Sequence, residues 1–216
     1  FLKEGAVLTD VGSVKGCFLK AVNCVYGHVP EFVVPGHPIA GSEKSGVMAA
    51  DERLFEYHKV ILTPLSHTSS RALQLVRSMW EACGAVVLEM SVDHHDEVLA
   101  ATSHLPHLIA FSLVDTLAGE EANQEIFRYA AGGFRDFTRL AGSNPIMWRD
   151  VYSFNKDAVL EMLNKFTKDL STLQKAIQNN DLSFLEETFR TTRKVRKTIE
   201  ELGQAGSFDP RENKEK

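Results

Sequence analysis

Up to about residue 92, apolar residues occur in short clusters, each followed by glycine or proline. Residues 6–11 (Ala-Val-Leu-Thr-Asp-Val) make a strand-like run stopped by Gly12. Helical spacing follows at Val14, Phe18, Leu19, Val22 and Val25, and Gly27 closes it. Phe32-Val33-Val34 reads as a second strand halted by Pro35-Gly36, and residues 57–65 as a third. Thr68 or Ser69 opens another helix, with Ala72, Leu75, Val76, Met79 and Trp80 on its inner face and Gly84 beyond its end. Residues 85–88 are a fourth strand. Near-continuous apolar strands alternating with helices predict a largely parallel α/β sheet covered on both faces.

Beyond Asp93 the pattern changes, and no strand is expected before Leu202. Residues 98–117 are apolar on nearly every side, which predicts a helix buried all round. Pro106 cannot donate to the carbonyl of Thr102 and should kink it. Phe154, Ala158, Met162, Phe166, Leu170, Leu173 and Ile177 recur every three or four residues, and Phe189, Val195, Ile199 and Leu202 continue the theme. Stripes this long need a partner, and a second copy of the chain is one source. The expected organisation is an α/β part over 1–92, an all-helical part over 93–202, and a polar tail or linker over 203–216.

Composition narrows the function. The 216 residues are 44% hydrophobic and 25% charged, enough for a substantial core. Twenty-four basic against 29 acidic residues give a net charge of -5, which argues against a nucleic-acid partner. No apolar run approaches the ~18 residues that span a membrane, and no signal segment opens the chain. Three cysteines without a C-x-x-C pair suit a reducing, cytoplasmic setting, with Cys17 and Cys24 as small core residues.

Four polar clusters could carry chemistry. In Thr9-Asp10-Val11-Gly12-Ser13-Val14-Lys15, Ser13 either caps the helix or holds a ligand oxygen at a strand's carboxyl end. In the stretch 36–46, three glycines and a proline shape a loop that orients His37 beside Ser42, Glu43 and Lys44. His37 is then either structural or a general base titrating near neutrality. Thr102-Ser103-His104-Leu105-Pro106-His107 puts two histidines at the kink. No acidic or cysteine residue completes a ligand set there, so no metal is expected. His94-His95 reads as surface. In Gly132-Gly133-Phe134-Arg135-Asp136-Phe137-Thr138-Arg139, followed by Ser143-Asn144-Pro145, the arginines form either a solvated ion-pair face or a carboxylate clamp. No G-x-G-x-x-G dinucleotide fingerprint occurs.

Taken together, T-D-V-G-S-V-K, H-P-I-A-G-S-E-K-S-G, A-T-S-H-L-P-H and G-G-F-R-D-F-T-R-L-A-G-S-N-P-I-M-W-R-D resemble the prephenate dehydrogenase family of tyrosine biosynthesis, over about residues 6 to 200. The resemblance implies a partial Rossmann-type parallel sheet followed by an all-α dimerisation domain, and a homodimer. It implies oxidative decarboxylation of prephenate with hydride transfer to NAD, NADP not being excluded. His37 would accept the substrate hydroxyl and Ser13 would orient it. Arg139 and His107 would bind substrate, Ser42 and Glu43 would line the pocket mouth, and Gly12 and Ser13 would lie at the cofactor. The family's Gly-rich strand-turn-helix is missing, so about 80 to 100 further residues are expected upstream. Arogenate is the alternative substrate, and an inactive dimerisation fragment or a metal hydrolase are the readings from other classes.

Overall fold

Valines flanked by glycine stops build the first layer. β1 (Leu8–Thr9) leads through the turn at Gly12 into α1 (Lys15–Tyr26), which ends on Gly27 in the left-handed conformation, φ 75°. The chain returns as β2 (Val33–Val34), parallel to β1, with Leu8 opposite Val33 and Thr9 opposite Val34. Pro35 then passes the extended chain into β3 (Gly36–Ile39), which pairs antiparallel with β4 (Lys59–Leu62). α2 (Ser70–Ala82) crosses over to β5 (Val86–Glu89), parallel to β4. Val34, Val60 and Leu62 pack with Ala72, Val76, Trp80 and Ala85 into one apolar core. Burying an aliphatic side chain of this size contributes about 1.5–3 kcal/mol.

The second layer is helical: α3 (Val92–Leu99), a π-turn (Ala100–His104), α4 (Leu105–Ala118), α5 (Asn123–Arg128), α6 (Gly132–Thr138), a 3₁₀ turn (Arg139–Gly142), α7 (Pro145–Phe154), α8 (Lys156–Gln178) and α9 (Leu182–Glu201). The computed structural model describes residues 2–41, 46–121 and 123–202, in two compact units, Phe1–Leu160 and Glu161–Lys216. In the first unit α3 packs on α1, and α4 packs on α6 and on the 3₁₀ turn. In the second unit Asn180 takes φ 52° and Asp181 caps α9 by accepting from the amide of Phe184.

The parallel pairs β1–β2 and β4–β5 and the helical second half match the sequence pattern. Several local expectations do not hold. His37 stands on β3, not in a loop. β3 is an edge strand, where Pro38 is tolerated although it cannot donate to a ladder. Ser13 does not cap α1; the N-cap position is Val14, without a side-chain bond. Leu75 and Met79 are 57% and 43% exposed, so the inner face of α2 is the narrower stripe Ala72, Val76, Trp80. Cys24 is exposed. The helix around Pro106 is not buried all round, and the kink takes the form of the π-turn, with the Leu105 amide bonded to the Ala100 carbonyl. Val92–Ala118, 27 residues, is long and apolar enough by length and composition to cross a membrane, which corrects the expectation that nothing approached that length. It carries two buried histidines and packs on α1 and α6, as a core helix does.

Candidate active site

The carboxyl end of β1 is tied to the start of β3 by a buried ion pair. Lys15 is fully buried, with Nζ 2.5 Å from Asp10 Oδ2 and 2.5 Å from the Gly36 carbonyl. Asp10 also accepts from the amides of Gly12 at 2.9 Å and Gly36 at 3.1 Å. Burial, the largest influence on Lys15, outweighs the Asp10 bond and lowers its pKa. A Cβ on Gly36 would lie 3.1 Å from the Asp10 carbonyl oxygen and 3.2 Å from Leu62, so any side chain at this crossing must displace a neighbour.

His37 follows directly, and its Nδ1 is 2.9 Å from Nε2 of His95. His95 is fully buried, and its Nδ1 is 2.7 Å from Asp96 Oδ1. Asp96 in turn accepts from the amides of Lys15 and Gly16, each at 2.9 Å. The α1 N-terminus is therefore capped from α3, across about eighty residues of sequence, by the carboxylate that holds His95. Burial pushes the Asp96 carboxyl up, but the bonds from His95 and from the two amides outweigh it, and the net shift is downward. Burial, reinforced by His95 and Lys15, lowers His37 to about 3, so this imidazole is neutral across the physiological range and does not titrate near neutrality.

Asn155, at the end of α7, joins this chain to the π-turn. Its Nδ2 donates to the Asp96 carbonyl at 2.8 Å and to Nδ1 of His104 at 3.1 Å. His104 is 1% exposed, lowered to about 4 chiefly by burial, and its Nε2 has no partner among the described residues. One turn on, His107 bonds the Ser103 carbonyl through Nδ1 at 2.8 Å and stacks on Trp148 at 3.9 Å between ring centroids. Burial lowers His107 too. Trp148 packs with Val14 and Val151, which brings the turn after β1 against the histidine pair. Tyr152 donates its hydroxyl to the His104 carbonyl at 3.2 Å, and burial raises its pKa.

Of the residues singled out from sequence, His37, His107, Gly12 and Ser13 stand on this connected framework. Ser13 is half-buried on the turn between Asp10 and Val14. Arg139 is exposed at the start of the 3₁₀ turn that packs on α4, the helix that carries His107. Ser42 and Glu43 fall outside the described residues. His95 is the clearest correction, because the sequence pattern reads it as surface and the structure buries it against His37. Leu99, four residues on, is the apolar partner that could have signalled its face. The sequence pattern alone assigns no role to Asp96, Asn155, Trp148 or the Asp10–Lys15 pair.

Short parallel strand pairs that meet a buried run of imidazoles, His37 on β3 and His95 and His104 in the helical half, make the architecture of a nucleotide-dependent oxidoreductase with a helical second domain. Residues 1–89 match the model of the prephenate dehydrogenase nucleotide-binding domain, and residues 91–191 that of the prephenate dehydrogenase dimerization domain. The chain is 41% identical over 198 residues to a cyclohexadienyl dehydrogenase of Zymomonas mobilis, covering 90% of this chain and 67% of that one. It is 39% identical over 196 residues to a prephenate dehydrogenase of Bacillus subtilis, covering 90% of this chain and 53% of that one. A crystal structure of prephenate dehydrogenase from A. aeolicus, in complex with hydroxyphenyl propionate and NAD+, superposes with TM-score 0.83 at 43% identity, over 92% of this chain and 68% of that one. The chain belongs to the prephenate dehydrogenase family of NAD-dependent oxidoreductases.

The residues present fit only part of NAD. A pyrophosphate needs free amides at a helix N-terminus. Here the amides of Lys15 and Gly16 are taken by Asp96 and that of Gly12 by Asp10. The amides of Gly12, Lys15 and Gly16 are therefore not open to a phosphate.

Proposed function

We propose that this chain supplies the substrate-binding and acid–base half of an enzyme that converts prephenate to 4-hydroxyphenylpyruvate. The observation that carries the reading is His37: a neutral, buried imidazole at a strand end, held through Nδ1, with Nε2 left for a substrate hydroxyl. Bound NAD+ would take the hydride from the hydroxyl-bearing ring carbon. The chain's own part is to receive the hydroxyl proton at His37 Nε2 as the carbon–oxygen double bond forms. The ring carboxylate then leaves as CO2, its electron pair makes the ring aromatic, and the proton returns from His37 to the phenolic oxygen. No proton is gained or lost over the cycle. Burial keeps the imidazole neutral, so Nε2 has a lone pair with which to accept the hydroxyl proton.

Ser13, on the turn after β1, orients the hydroxyl. Arg139 clamps a substrate carboxylate, for which its planar fork is suited. His107 presents Nε2 to the substrate, because its Nδ1 must donate to the Ser103 carbonyl. Gly12 with Ser13 meets the nicotinamide end of the cofactor. The functional boundary falls near residues 92 and 93, and the enzyme is a cytoplasmic homodimer that takes NAD. Arogenate, which carries an amine in place of the side-chain ketone, is the second reading, supported by the likeness to a cyclohexadienyl dehydrogenase.

The test is NADH absorbance on mixing the full-length protein with NAD+ and either prephenate or arogenate, for the wild type and His37→Asn. His37→Asn should lower kcat by about 10²–10⁴-fold with KM changed little. Unchanged kcat would remove the base assignment, and activity with arogenate alone would replace the substrate.

A further inference from the structure

We infer that Asp96 and His95 are positioning residues that fix the tautomer of His37, so that the lone pair of its Nε2 faces the substrate. This deepens the proposed function and rests on it. The argument needs only donor and acceptor bookkeeping along the three groups.

Asp96 is held as a carboxylate and can only accept, so Nδ1 of His95, 2.7 Å away, must carry a proton. With that as the only proton on the ring, Nε2 of His95 has a lone pair and no hydrogen. At 2.9 Å from it, Nδ1 of His37 must be the donor. His37 is neutral, so its single proton is spent on that bond and Nε2 is left bare. A free imidazole in water prefers no such arrangement strongly, and a base in the other tautomer would meet a substrate hydroxyl with an N–H.

The anchor of this chain is unusually fixed. Both Asp96 oxygens are occupied by backbone amides of the first turn of α1, so the carboxylate cannot rotate away from His95 without uncapping that helix. Asn155 holds the Asp96 carbonyl from the other side. The residue before His95, His94, is exposed, so only one of the adjacent pair can serve.

Two substitutions separate this role from packing. His95→Gln keeps an acceptor for the His37 Nδ1–H and an N–H for Asp96, whereas His95→Leu fills the buried space but offers neither. The tautomer role expects His95→Gln to retain kcat within about tenfold and His95→Leu to lose about 10²-fold or more, with KM within about threefold in both. A packing role expects the reverse order, because leucine suits a buried site better than glutamine. Asp96→Asn presents an amide to His95, inverts the chain and should likewise depress kcat. Loss of kcat by His95→Leu with retention by His95→Gln supports the inference, and equal activities overturn it.

A second measurement is independent of turnover. Long-range ¹⁵N–¹H correlation spectra of the wild-type protein should show His37 protonated at Nδ1, and His37 in His95→Leu should shift toward the Nε2–H form. An Nε2–H signal in the wild type overturns the inference even if His37→Asn shows the imidazole to be the base. A correct tautomer together with a fully active His37→Asn variant would sink the proposed function instead.

Discussion

His37 and His104 are held at about 3 and about 4 by burial, and each keeps a neutral ring where water would leave a titrating one. In the unfolded chain both return to about 6.5. Below that value the unfolded state binds protons that the folded state refuses, so the stability these rings allow is complete above about pH 6.5 and is lost as pH falls toward their folded values. Each contributes a slope of at most about 1.4 kcal/mol per pH unit in that window. Asp96 is shifted in the same downward direction and acts lower, since its depressed carboxyl loses its contribution as pH falls from the unfolded carboxylate value toward the folded one. Urea midpoints should therefore drop steadily between pH 6.5 and pH 4.5, and less so in His104→Gln. A flat profile over that interval would mean the two rings are solvated. His37 and His107 could be named from sequence because they sit in motifs with unusual neighbours. His95 could not, because its role depends on a strand that does not look like one.

That strand shows what an element owes to its surroundings. The helix stops at Gly27 and Gly84 and the start at Asn144-Pro145 are local chemistry, and the sequence displays them: Asn144 accepts from the amides of Ile146 and Met147, and Pro145 takes the first turn. β3 is Gly-His-Pro-Ile, which reads as a turn, and becomes a strand only by pairing with β4. The same is true of α1, whose cap comes from α3 rather than from the neighbouring serine. Gly36→Ala tests how tightly β3 is seated. The added methyl meets the Asp10 carbonyl oxygen at 3.1 Å and Leu62 at 3.2 Å, so the strand must shift by a few tenths of an ångström. A loss of about 1–3 kcal/mol in thermal or urea unfolding is expected, and kcat should fall with it, because His37 is the next residue. If stability falls while kcat holds, the base tolerates displacement of its strand.

At the scale of the whole molecule, the helical stripes read from the sequence remain uncovered in the single chain. Leu170, Ile177, Phe189 and Val195 are each more than half exposed, in the region matched by the dimerization-domain model or directly along α8 and α9. Apolar surface of this extent on long helices fits a second copy of the chain. The wild-type protein should sediment as a dimer, and Leu170→Glu combined with Phe189→Glu should yield a monomer with its helical circular dichroism largely retained. A dimer that survives both charges would place the contact elsewhere. The order of sheet and helices was legible because it follows from hydrophobic period. The charge chain behind His37 was not, because it draws on β1, β3, α1, α3 and α7 at once.

The π-turn at Ala100–His104 has a consequence for how variation in this stretch should be judged. It holds one residue more than regular α-helical bonding would need, and α4 continues from it at a fixed angle. Losing the codon for Ala100 or Ala101 would let the backbone close into an ordinary helix, with no polar side chain removed and no glycine or proline touched. It would also turn α3, with His95 and Asp96, by about 100° relative to α4 and the residues it presents. Among length changes in this gene, that small deletion is the one expected to leave a foldable polypeptide with a silent centre.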